Sequence, residues 1–126
     1  MICFVWPVLA CGSASADEVC RPVSAERIEE QWAYYQSQPP VQAIPGGDGY
    51  ECIAVSKSSD EKVVCRTRAG HPAHPSIVVQ VVSEENGAVY ISLQADTAAD
   101  CTAFLAMIDA FKKKNEALRQ QFSKGR

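Results

Sequence analysis

The chain has 126 residues, 47% of them hydrophobic and 21% charged, with a formal net charge of −3. This is room for one domain with one hydrophobic core, and the balance excludes a globally disordered chain and a basic binder of nucleic acid. Six cysteines in so short a chain are the unusual feature.

Ile2 to Ala10 is an apolar run, followed by Gly12-Ser13-Ala14-Ser15-Ala16 and then Asp17-Glu18. The run falls well short of the roughly twenty residues that a membrane-spanning helix needs. Its form is that of a secretory leader, with an A-x-A cleavage site at Ala14-Ser15-Ala16. The same letters carry a second reading. Val8-Leu9-Ala10-Cys11 resembles a bacterial lipobox, which implies that Cys11 is lipidated and anchors the chain to a membrane. No Lys or Arg precedes Arg21, so the basic start of a leader is missing from these letters. Pro7 argues against a buried strand through the run, because it has no N–H for a ladder bond. Residues 1–16 are therefore expected to be a leader, and 17–126 a single exported α+β domain.

A helix is expected next. Ser24 is placed as its N-cap, Val23 and Ile28 as a hydrophobic staple, and Glu26, Glu29 and Glu30 sit where the helix dipole favours negative charge. Ile28, Trp32 and Tyr35 share one edge, while Tyr34 points elsewhere and is a candidate interface residue. Pro39-Pro40 stops the helix, and the Pro/Gly-rich residues 39–49 read as a loop.

Four strands are expected to follow, near residues 50–56, 62–68, 76–84 and 88–95. The polar turn "SKSSDEK" joins the first two. Asn86-Gly87 joins the last two as a type I′ hairpin turn, which sets Val82 opposite Ile91 and Val78 opposite Ala95. Between the hairpins, "AGHPAHP" is a proline-braced loop.

The last helix has Thr97-Ala98-Ala99-Asp100 as a capping box. Its seam runs through Cys101, Phe104, Ile108, Phe111, Asn115, Leu118 and Phe122, apolar except at Asn115. The expected fold is thus α+β: an N-terminal helix, a four-stranded antiparallel sheet of two hairpins, and a long C-terminal helix packed across it in two layers.

Cysteine arithmetic supports the exported reading. A leader that is cut away or lipidated leaves Cys20, Cys52, Cys65 and Cys101, an even set that reads as two disulfides. Cys52 and Cys65 flank a hairpin turn and pair across it, so Cys20 before the first helix pairs with Cys101 in the first turn of the last. The alternative use of four thiols, a zinc site, lacks C-x-x-C spacing.

Residues that carry chemistry are few. His71 and His74 form an H-x-x-H pair that suits copper, nickel or zinc, yet no third ligand is near in sequence. No G-x-S-x-G elbow, phosphate loop or H-E-x-x-H helix occurs. Lys112-Lys113-Lys114 complements the helix dipole, and Lys113 is a candidate contact for an acidic partner. The expected function is a small non-catalytic binding protein of the cell envelope, periplasmic or lipid-anchored. It would be an inhibitor or immunity-type protein, or an accessory subunit, needing no cofactor and contacting protein through His71, His74, Tyr34 and Lys113. The alternatives are a metal-binding protein using the His71/His74 loop and a small hydrolase.

Overall fold

The computed structural model describes residues 2–6, 20–38, 41–57 and 60–124. The cleavage and lipidation region around Cys11 and Ala14–Ala16, the helix stop at Pro39-Pro40 and the side chains of Leu118 and Phe122 lie outside the described residues. In chain order the elements are β1 (Ile2–Trp6), α1 (Ala25–Gln36), β2 (Val41–Ile44), β3 (Tyr50–Lys57), β4 (Asp60–Thr67), β5 (Ser76–Glu85), β6 (Ala88–Thr97) and α2 (Cys101–Lys124). The strands make one antiparallel sheet in the order β1-β6-β5-β4-β3-β2.

The two expected hairpins are present in the expected register. Cys52 lies opposite Cys65, Val78 opposite Ala95, and Val82 opposite Ile91. Asn86 and Gly87 adopt φ of 54° and 80°, as a type I′ turn requires.

Two strands were not expected. β2 occupies part of the 39–49 loop, where a four-residue segment is hidden between Pro40 and Pro45-Gly46-Gly47. It pairs with β3 from Val41↔Val55 to Ile44↔Cys52. β1 lies in the segment read above as a leader and pairs with β6 from Ile2↔Ala95 to Trp6↔Ile91. It ends one residue before Pro7, so the proline that argued against a strand falls outside it.

The layering also differs from the expected two. α1 covers one face, with Ile28 and Trp32 against Ile53, Val55, Val64, Ile77 and Val79. α2 covers the other, with Phe104, Met107, Ile108 and Phe111 against Cys52, Cys65, Val78, Leu93 and Ala95. The sheet is therefore the middle of three layers. The cause is visible in Ser76–Glu85, where apolar residues follow one another without alternation, the pattern of a strand buried on both faces. On the α1 face the Arg66 guanidinium lies 4.5 Å from the centroid of the Trp32 ring and donates from Nε and Nη2 to Glu51 Oε1 at 2.9 and 2.8 Å.

Capping follows the sequence at one helix and departs from it at the other. Ser24 Oγ accepts from Arg27 N–H at 3.2 Å, so Ser24 caps α1. At α2 the cap is Asp100, whose Oδ1 accepts from Ala103 N–H at 3.2 Å. Thr97 does not cap. It ends β6, where its hydroxyl bonds Ser76 Oγ at 2.6 Å and accepts from Ala99 N–H at 2.9 Å, buried between strand and helix.

Two disulfides brace the molecule. Cys52–Cys65 ties β3 to β4 with 4.1 Å between Cα atoms. Cys20–Cys101 ties the entry to α1 to the first turn of α2 across 81 residues of sequence. Replacing Cys20 and Cys101 together by Ala should lower stability by about 4–5 kcal/mol, most of it through the unfolded chain, as measured by urea unfolding at neutral pH. In the same assay Asp100→Ala should cost about 1 kcal/mol, and Thr97→Ala more, about 1–3 kcal/mol, because it takes the acceptor from Ala99 N–H and one bond from the buried Ser76 hydroxyl.

Candidate functional site

The β2–β3 connection and the β4–β5 connection flank the β3–β4 hairpin and so meet at one end of the sheet, beyond the Tyr50↔Thr67 pair. Arg68 N–H donates to Gly49 O at 2.8 Å, and Arg68 Nε donates to Tyr50 O at 3.1 Å. Gly49 has φ of +86°, and a Cβ there would stand 2.9 Å from His71 Cδ2, so glycine is required for both conformation and space. Gly46 is constrained differently. A Cβ on it would come within 2.6 Å of Tyr50 O and 3.0 Å of Cys52 Sγ, because the loop folds down onto the disulfide.

His71 holds this junction. Its Nδ1 accepts from Ala73 N–H at 2.9 Å, which leaves the proton on Nε2 to be donated to the Tyr50 hydroxyl, also at 2.9 Å. The Tyr50 ring packs between His71, at 4.9 Å, and Phe111 of α2, at 5.3 Å edge-on. Burial pushes the Tyr50 phenol above its ordinary pKa, so it stays neutral. Burial, with the neighbouring His74 charge as the smaller cause, holds the His71 pKa below its ordinary value.

His74 faces other partners. Its Nδ1 donates to Thr67, whose Oγ1 lies at 2.9 Å and carbonyl at 3.2 Å. Thr67 Oγ1 in turn accepts from Ser76 N–H at 2.9 Å, and Ser76 Oγ donates to Ala73 O. This buried hydroxyl cluster pins the loop to the sheet. A hollow beside His74 is lined by Glu26, Glu29 and Glu30 of α1, on the other side of the sheet from Tyr50. The two imidazoles thus serve different neighbours, and metal ligation by His71 requires it to give up the Tyr50 or the Ala73 bond. Among the described residues no three His, Cys, Asp or Glu side chains converge as a metal set.

Beneath the Tyr50–Phe111 contact lies an open cleft of about 180 Å³ between the sheet and α2. Ile44, Val63, Ala110 and Phe111 supply apolar walls, and the Cys52–Cys65 disulfide lies against it. Its polar groups are Gln80, Asn115 and Lys114. Gln80 Nε2 donates to Asn115 Oδ1 at 2.8 Å, which explains the one polar residue in the apolar seam of α2. The three lysines separate. Lys113 pairs with Asp109 at 3.0 Å one turn back, both exposed, whereas Lys114 lines the cleft. Sequence reasoning named Lys113, and the residue at the cleft is its neighbour.

Tyr34 is 59% exposed on α1, on the opposite face of the sheet from the cleft, and its ring meets Tyr35 edge-on at 5.2 Å. It joins neither the loop junction nor the cleft. Among the described residues no helix is long and apolar enough to cross a membrane.

Comparison with known proteins adds no relative: no family model matches the chain, and no curated protein or solved structure matches it. The two cross-links suit an oxidising setting, of the extracellular or periplasmic kind.

The lowered pKa of His71 predicts a pH dependence. The unfolded histidine takes up its proton near about pH 6.5, before the folded one does. Its contribution to stability is therefore present above that pH and lost as the pH falls through it towards the lower folded pKa. Unfolding midpoints measured from pH 7.5 down to 5 should fall, and the His71→Gln variant should show a smaller fall over the same range.

Proposed function

We propose that the chain is a small exported, non-catalytic binding protein of the envelope, an inhibitor or immunity-type protein or an accessory subunit, and that the joined loops 45–49 and 68–75 are its contact surface. One observation carries this reading: the two loops that leave the open end of the β3–β4 hairpin are bonded to each other as one ridge. The Arg68–Gly49 and Arg68–Tyr50 bonds hold it from one side, the Tyr50–His71 bond from within. A hairpin closed by Cys52–Cys65 stands behind it. A ridge built in this way loses little conformational freedom when a partner closes over it, so more of the contact energy appears as affinity. The two disulfides favour a working place outside the reducing cytosol. Intact mass of the chain from its native host reports cleavage after Ala16 or lipid on Cys11.

The test is capture of a partner from envelope extract by wild-type chain and by Gly49→Val, which forces a side chain into His71 and parts the loops. Wild type should retain one partner specifically. Gly49→Val, checked for retained fold by circular dichroism, should retain at most about a tenth as much, the equivalent of about 1.4 kcal/mol. Repeated capture of nothing, or equal capture by the folded variant, counts against the reading.

A further inference from the structure

We infer that the cleft between α2 and the sheet is a binding site for a small monocarboxylate with an apolar body, its carboxylate held by Asn115 and Lys114. This goes beyond a protein-contact surface, and its polar anchors, Asn115 and Lys114, are not part of the loop ridge.

Asn115 is the anchor of the argument. It is 4% exposed, lines the cleft, and spends its Oδ1 on the Gln80 amide. An asparagine carries two N–H donors as well, and the Asn115 amide nitrogen meets no acceptor among the described residues. Turning both amides over does not remove the surplus, since the pair then leaves the Gln80 nitrogen over instead. The Asn115 amide nitrogen is not sealed in the core but opens to the cleft, so its N–H groups are available to an occupant that can accept from them.

The charge of the site points to what that acceptor is. Lys114 lines the same cleft and has no carboxylate partner among the described residues, in contrast to Lys113 with Asp109. Among the described residues no Asp or Glu lines the cleft. An amide N–H and an ammonium with no counter-charge complement a carboxylate, and bonds to an ionised acceptor are the stronger kind. The rest of the wall is apolar: Ile44, Val63, Ala110 and Phe111 beside the disulfide.

Volume limits the body of the ligand. A cavity of about 150 Å³ takes one benzene ring. The cleft, at about 180 Å³, takes a body of that class with its head group at the polar end. Gly46 lines the loop side of the cleft, where a Cβ would meet Tyr50 O and Cys52 Sγ. The class that fits within the cleft is therefore an aryl or short branched aliphatic monocarboxylate.

The test is titration of the full, oxidised chain with phenylacetate, followed by amide chemical shifts in ¹⁵N-labelled protein. Saturable shifts should centre on residues 46, 80 and 110–115. The uncharged isostere phenylacetamide should bind at least about tenfold more weakly, and Lys114→Met should weaken phenylacetate by a similar factor. Ala110→Trp, which fills the cleft from an exposed position, should abolish the shifts while the remaining spectrum is unchanged. Equal binding of acid and amide overturns the inference, and so do shifts centred elsewhere. The absence of any saturable shift up to about 10 mM, a concentration that reveals even millimolar affinity, also overturns it. Asn115→Leu adds a check on the anchor, and if it does not fold, Lys114→Met and Ala110→Trp decide the matter.

Discussion

A sheet whose central strands are apolar on both faces has to be covered twice, and here the two covers are connected to each other by a covalent bond. α1 shields Ile53, Val55, Val64, Ile77 and Val79, and α2 shields Cys52, Cys65, Val78, Leu93 and Ala95. Cys20–Cys101 joins the segment entering α1 to the first turn of α2. Separation of either helix from the sheet would therefore strain the start of the other. Val23 N–H donates to Thr97 O at 2.7 Å and Ala98 N–H to Pro75 O at 2.8 Å beside this bridge. One end of the sheet is thus closed by backbone bonds as well as by sulfur. The α1 helix has only 12 residues and buries few side chains of its own, so it depends on this tie more than the 24-residue α2 does.

Besides Asp96, which accepts from Gln31 Nε2 at 2.6 Å, two polar groups stand inside this frame. Thr67, Ser76 and Thr97 form a buried hydroxyl cluster that fixes the loop carrying His71 and His74, leaving each imidazole bonded to a different element. Gln80 and Asn115 form a second polar pair between sheet and α2. The first group terminates strands and sets a loop, as buried hydrogen-bonding groups must find partners. The second interrupts two apolar surfaces that had no local need for polarity, and this difference separates a structural cluster from a candidate site.

Much of the architecture was legible because it rests on local chemistry. Asn86-Gly87 specified a turn that no other dipeptide makes as readily, and the register of β5 and β6 followed from it. Cys52 and Cys65 fell opposite each other by symmetry about their turn. What stayed hidden depended on distant neighbours. β2 is four residues long and is stabilised by β3, not by its own pattern. The position of α1 on the far face could have been read from "SIVVQVV", whose apolar run needs two covers, but alternation elsewhere in the sheet drew attention to one. Thr97 and Asp100 both suit a helix cap, and only the burial of Thr97 against Ser76 decides between them. The cleft left one signal in the letters: Gln80 and Asn115 are each the lone polar residue in an apolar pattern. Pairing them required knowing that the two patterns face each other. Tyr34 was rightly read as pointing away from the core, but nothing in its spacing tells that it sits across the sheet from the loops.

The pairing of β1 with β6 has a consequence for any form of the chain that lacks its first residues. With Ile2–Trp6 gone, the stretch from Ile91 to Ala95 would become the margin of the sheet, with amide and carbonyl groups turned to solvent along it. β6 is ten residues long and contains no lysine, arginine or proline, the usual deterrents to strand-to-strand association. At the opposite margin β2 is only four residues long. A shortened chain would therefore carry one adhesive border and one blunt one, so self-association, if it occurred, would grow from a single side and stop at two copies.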